Sequence, residues 1–130
     1  KNVTVVDERS EIAGCFRGMP QNDLGCRTDV LDGCPKSEGM MMAVRSLAPE
    51  VIVVDEIGGK KDVQALRYAM NCGCTLIATI HGRDYREIQG KPDFREMVRE
   101  HMFERCIVLE NAGGPGKVRE ICDAQGRSLM

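Results

Sequence analysis

The sequence predicts an α/β fold: a mainly parallel sheet flanked by helices, closed by a carboxyl-terminal β-hairpin. Three observations carry this reading. Val3-Thr4-Val5-Val6, Val51-Ile52-Val53-Val54 and Thr75-Leu76-Ile77-Ala78-Thr79-Ile80 are short, continuous apolar runs, the pattern of strands buried on both faces. Stretches of helical period alternate with them up to Met102, as a parallel sheet requires. Beyond Met102, Glu104–Glu110 and Lys117–Asp123 flank the glycine-rich Asn111–Gly116, which reads as a hairpin.

Composition bounds the class. The chain has 130 residues, enough for one domain with a core. Hydrophobic residues make up 42% and charged residues 29%, and the formal net charge is −2. That balance gives no global basic field for nucleic acid. No apolar run approaches the roughly 18 residues of a membrane span. The opening Lys1–Val6 is strand-like and does not resemble a signal peptide. A domain rarely starts inside a core strand, so a fragment lacking its amino-terminal part is expected. The seven cysteines include no Cys-x-x-Cys pair, and several sit in apolar runs. They read as reduced, cytoplasmic cysteines and not as a zinc site.

Taken in order, Val3–Val6 is the first strand, and it ends in Asp7-Glu8-Arg9-Ser10-Glu11. Arg9 has Glu8 and Glu11 as ready partners. Ala13–Pro35 is rich in turn residues and predicts a long loop, functional or mobile. It carries Arg17 and Arg27, either of which could reach a phosphate.

Ser37–Leu47 reads as a helix with Ser37 as N-cap and with Met40, Met41, Val44 and Leu47 along one face. Ala48-Pro49-Glu50 stops it and feeds Val51–Val54. That second strand runs into Asp55-Glu56, and Gly58-Gly59-Lys60-Lys61 predicts a flexible basic turn. Carboxylates at the carboxyl end of a buried parallel strand sit where open α/β sheets place their ligands. In phosphate-transferring proteins such acids hold Mg²⁺ and orient the attacking water. The plain alternative is a strand followed by an acidic loop.

Asp62 is the expected N-cap of a helix from Val63 to about Asn71, with Gly73 as its stop. Thr75–Ile80 is the third strand. It delivers Thr79 and His81 on one face at its carboxyl end, and His81 is therefore a candidate site residue. A short helix over Asp84–Ile88 and another from Phe94 to about Met102 precede the hairpin.

Together, Asp7–Gly14, Arg27–Asp32, Glu38–Met42 and Val51–Gly58 resemble the stage III sporulation protein AA family. These are ATPases of endospore-forming bacteria, similar to the secretion ATPases of type II, type IV and pilus systems. The resemblance covers essentially the whole chain. It implies that residues 1–130 are the carboxyl-terminal part of one RecA-like P-loop domain. Asp55 and Glu56 match the Walker B acids, with Asp55 toward Mg²⁺ and Glu56 activating water. Glu8 with Asp7 matches the acidic box and supports Glu56. Thr79-Ile80-His81-Gly82 matches the histidine box, and Arg27 falls in a matching block.

The implied cofactors are ATP and Mg²⁺. The implied assembly is a ring, commonly a hexamer, on the cytoplasmic face of the membrane on the mother-cell side. Its partners would be membrane-embedded channel proteins that link mother cell and forespore. One departure matters. No Gly-x-x-x-x-Gly-Lys-Ser/Thr occurs in the chain. Without that phosphate cradle the 130 residues alone are expected to be inactive. The missing central strand also predicts that Thr75–Ile80 pairs directly with Arg105–Leu109, or that strands exchange between chains. The competing reading is a non-catalytic assembly or nucleic-acid-binding module derived from an ATPase. The 4% aromatic content gives it few stacking platforms.

Overall fold

The computed structural model describes residues 1–130, which form two compact units, Lys1–Ile80 and His81–Met130. The first unit holds β1 (Val3–Asp7), β2 (Thr28–Asp32), α1 (Lys36–Ser46), β3 (Val51–Val54), α2 (Gly59–Asn71) and β4 (Thr75–Ala78). Its sheet runs β2-β1-β3-β4 with every pairing parallel. Val3 is matched to Thr28 on one side and to Val51 on the other.

β1 is the deepest strand. Thr4, Val5, Val6 and Asp7 are all buried, as the continuous apolar run predicts. α1 and α2 pack on each other, with α1 against β1 and β3 and α2 against β4. The core joins Val5, Val6, Ile52 and Val54 from the sheet to Met40 and Ala43 of α1 and to Ala65, Leu66 and Ala69 of α2. Gly39 brings α1 close to β1: a Cβ there would stand 2.5 Å from Val6 Cγ1.

The structure departs from the sequence reading in several places. β2 lies inside the stretch expected to be only a loop. Thr28-Asp29-Val30-Leu31-Asp32 is an edge strand with no fully buried residue, so it carries little apolar signal. The rest of that stretch is ordered around Ala13, whose carbonyl accepts the N–H groups of Gln21 and Asn22. Ser37 is not the N-cap of α1, because the helix starts one residue earlier behind Pro35. α2 starts at Gly59, so Lys60 and Lys61 form its first turn and not a free loop. Asp62 lies inside that turn and reaches back to accept the Gly58 N–H at 2.9 Å, as the acid of a capping box does.

The second unit holds α3 (Tyr85–Gly90), α4 (Arg95–Arg99), β5 (Arg105–Glu110) and β6 (Lys117–Asp123). Asp84 caps α3 through the Glu87 N–H. α4 is shorter than the expected helix to Met102, and His101 beyond it has a left-handed backbone. β5 and β6 form the expected antiparallel hairpin, with a bulge between Val108 and Leu109. Phe94, Met97, Val108 and Cys122 are the buried hydrophobic side chains of this unit.

The expected direct pairing of Thr75–Ile80 with Arg105–Leu109 is not made. β4 pairs only with β3, and β5 only with β6. β5 meets its partner across the short Asn111–Gly116 loop, a local closure that costs somewhat less than one to a distant strand.

Candidate functional site

The register of the central strands assembles the site. Val6 is level with Val54, so β1 and β3 release their acids at the same height on the same end of the sheet. This is the carboxyl end, where an open α/β sheet forms its crevice. Asp7 and Glu8 leave from one strand, Asp55 and Glu56 from its neighbour.

Asp7 turns inward. Its side chain is fully buried, and its two oxygens accept the backbone N–H groups of Glu11 at 2.9 Å, Ile12 at 3.2 Å and Ala13 at 2.8 Å. The carboxylate is the hub of the turn that follows β1. Buried charge of this kind is tolerable because several donors converge on it. Ser10 in that turn has a left-handed backbone (φ 56°), and its hydroxyl bonds the Asp32 carboxylate at the end of β2.

Glu8 and Glu56 each face a cation. Glu8 forms an ion pair with Lys36, the first residue of α1. Lys36 is mostly buried, which works against its charge. Its contact with Glu8 and the fields of Asp62 and Asp55 outweigh that burial and hold the ammonium above the ordinary lysine range. Glu56 forms an ion pair with Arg9, whose guanidinium also reaches Glu11 at 3.4 Å. The bond to Glu56, then the charges of Glu11 and Asp55, raise the Arg9 guanidinium further. Asp55, half-buried at the tip of β3, thus acts on both cations.

Glu56 itself has φ 44°, a left-handed backbone that costs a non-glycine residue energy. Hydrogen bonds from the end of β4 hold it there. Thr79 Oγ1 accepts the Glu56 N–H at 2.8 Å, and the Thr79 carbonyl accepts the Ile57 N–H at 2.9 Å. A cleft of about 440 Å³ opens beside Glu8, between the first turns of α1 and α2, with Lys36, Lys60, Lys61 and Asp62 on its walls.

Glu8, Asp55, Glu56 and Thr79 are therefore brought together in the first unit. Arg27 is not among them. It precedes β2 and its carbonyl accepts the Val3 N–H, which puts it at the opposite, amino-terminal end of the sheet. His81 opens the second unit; it is exposed, and its carbonyl accepts a hydrogen bond from Lys91. Sequence reading missed Lys36 as the partner of Glu8, a pairing across 28 positions. It offered Arg9 only Glu8 and Glu11.

The sequence profile of the family described as sporulation stage III, protein AA matches residues 1–129. The chain belongs to that family. Among stage III sporulation protein AA relatives, the Bacillus subtilis (strain 168) protein of that name is 47% identical over 96% of this chain. The chain spans 41% of that relative's length. The ycf45 protein of Porphyra purpurea is 30% identical over 75% of the chain, which covers 18% of it. Membership of the sporulation stage III, protein AA family supports a role in sporulation.

Among solved structures, the X-ray structure of the Legionella pneumophila ATPase DotB aligns with a TM-score of 0.61 at 15% identity. The alignment covers 95% of this chain and 37% of DotB. At that identity the likeness speaks for the fold: a partial RecA-like core. No helix of this family member is long and apolar enough to cross a membrane.

The donor set fits a magnesium nucleotide. No three His, Cys, Asp or Glu side chains converge to cage a metal ion by themselves. Magnesium bound with a nucleotide needs no such cage, because it takes one or two carboxylates and completes its shell with phosphate oxygens and water. Asp55 would offer one such carboxylate at the end of β3, whereas the Glu56 carboxylate beside it is paired with Arg9.

Proposed function

We propose that this chain carries the Walker B and acidic-box part of an ATP-hydrolysing motor of the secretion-ATPase type. The observation that supports it is the pairing of β1 with β3, which delivers Glu8, Asp55 and Glu56 at one sheet end beside a cleft with lysines on its walls. Asp55 would hold Mg²⁺, which supplies charge neutralisation at the phosphates when bound. Glu56 orients and deprotonates the attacking water, with Glu8 in support. Thr79 fixes the Glu56 backbone from the neighbouring strand. Asp7 shapes the turn that bears Glu8 and Arg9.

On the same reading the longer protein works as a homo-oligomeric ring, commonly a hexamer. It sits on the cytoplasmic side of the membrane, on the mother-cell side, and drives a channel of membrane-embedded proteins between mother cell and forespore. The 130 residues alone lack a glycine-rich phosphate loop and do not turn over ATP.

The test is calorimetry with Mg²⁺ and ATP on this chain and on a form extended upstream, followed by turnover of the extended form. Binding and hydrolysis by the extended form only, with hydrolysis lost in Glu56→Gln, is the expected result. Full turnover by the 130 residues, or by Glu56→Gln, would refute it.

A further inference from the structure

Arg9 and Glu56 form an ion pair between two half-exposed side chains. Pairs of long exposed side chains contribute little, because two flexible chains must be held in one geometry. Here the backbone at both ends is already fixed. On the Arg9 side, Asp7 grips the N–H groups of Glu11, Ile12 and Ala13, and Ser10 is tied to Asp32. On the Glu56 side, Thr79 takes the Glu56 N–H through its hydroxyl and the Ile57 N–H through its carbonyl. Ser10 and Glu56 both sit at left-handed φ, a strained conformation that persists only where surroundings impose it. Two strained turns, anchored on two adjacent strands, aim a guanidinium at a carboxylate. Such an arrangement suits the control of geometry more than the gain of stability.

We propose that Arg9 is the positioning residue for Glu56, holding its carboxylate in place before nucleotide arrives. The inference rests on the reading of Glu56 as the water-activating base. Arg9 acts through Glu56: the guanidinium sets where the carboxylate stands, and the Asp7 turn sets where the guanidinium stands. Glu11, 3.4 Å from the Arg9 guanidinium, is its second acidic partner, and the more distant charge of Asp55 adds to the same attraction.

The test uses the full-length protein that contains this chain, with Arg9→Ala, Arg9→Lys, Glu56→Gln and the double variant Arg9→Ala/Glu56→Gln. Arg9→Ala should lower kcat for ATP about 10- to 100-fold, the effect of a misplaced reacting group, with KM within about twofold of wild type. Arg9→Lys should recover part of kcat. The double variant should be no slower than Glu56→Gln, since residues that act as one unit do not add. A readout without nucleotide is the urea midpoint, where the sum of the two single-variant shifts should exceed the shift of the double variant.

Unchanged kcat in Arg9→Ala would overturn the proposal. So would a loss that adds to that of Glu56→Gln, or urea shifts that simply sum. Wild-type turnover by Glu56→Gln would refute the assignment of the base, and with it this inference. Loss of turnover in Glu56→Gln alongside an intact Arg9→Ala would refute the role of Arg9 only.

Discussion

The carboxylate of Asp7 holds the amide of Ala13, six residues further on, at 2.8 Å. Both residues are fully buried. This contact turns the chain at the end of β1 and fixes the path from Glu8 to Ala13. Asp7→Asn keeps the shape but points an N–H donor at N–H donors. At least one buried amide then has no acceptor. We expect a loss of about 1–3 kcal/mol of stability, read as a lower urea midpoint. Unchanged stability would show that the turn is held from elsewhere.

Backbone strain at Glu56 can be separated from its chemistry. At φ 44°, alanine is as strained as glutamate, whereas glycine is not. Relief of about 1–2 kcal/mol outweighs the added unfolded-state freedom of glycine, about 0.5–1 kcal/mol. Glu56→Gly should therefore be more stable than Glu56→Ala by roughly 0.5–1 kcal/mol, although both lack the carboxylate. The reverse order in thermal unfolding would mean that the left-handed turn is not costly here.

Gly39 tests the seat of α1 on the sheet. Alanine favours a helix over glycine by about 1 kcal/mol. Its Cβ, however, would stand 2.5 Å from Val6 Cγ1, on a side chain with no exposure at all. Overpacking of a closed core costs about 1–3 kcal/mol, so the clash should win or at least cancel the propensity gain. Gly39→Ala is expected to leave stability lower by up to about 2 kcal/mol, measured by chemical denaturation. A clear gain would show that α1 can slide away from β1.

Acid should loosen the turn after β6. Asp123 accepts the Arg127 and Gln125 N–H groups at 2.9 Å each and the Arg127 guanidinium at 2.8 Å. The Arg127 amide, despite some desolvation, and then the Arg127 side chain and the Gln125 amide hold this carboxyl below the usual aspartate range. Its folded pKa is depressed, so its contribution is present above the unfolded value, near pH 4, and is lost as pH falls through the folded value. The protection factors of the Gln125 and Arg127 amides, with the intrinsic pH dependence of exchange divided out, should fall across that window in wild type. In Asp123→Asn they should be low already at neutral pH, and flat with acid.

The strands that build the site were legible because burial on both faces writes an uninterrupted apolar run, as in Val3–Val6 and Val51–Val54. Their acids were legible because charge abruptly ends that run. β2 was not, since an edge strand buries little and Asp29 and Asp32 dilute its pattern. The inward turn of Asp7 could not be read either. An acid that follows a strand looks solvated until the amides of Glu11, Ile12 and Ala13 are seen to fold back on it. Helix starts failed for a related reason: the backbone began α1 behind Pro35 and α2 behind Gly58 with no side-chain cap to announce either. The Lys36–Glu8 and Arg9–Glu56 contacts depend on which strands are neighbours, and spacing along the chain does not reveal that.

The parallel order β2-β1-β3-β4 also sets a timetable. β1 is flanked by β2 and β3, so neither of its pairings can form by a local hairpin. Each must wait for a long crossover to close, and β4 must wait for β3. During that search the apolar edges of β1 stay uncovered. Refolding of this half should therefore be slow for its length and prone to clumping at high concentration, whereas β5 and β6 can zip together early.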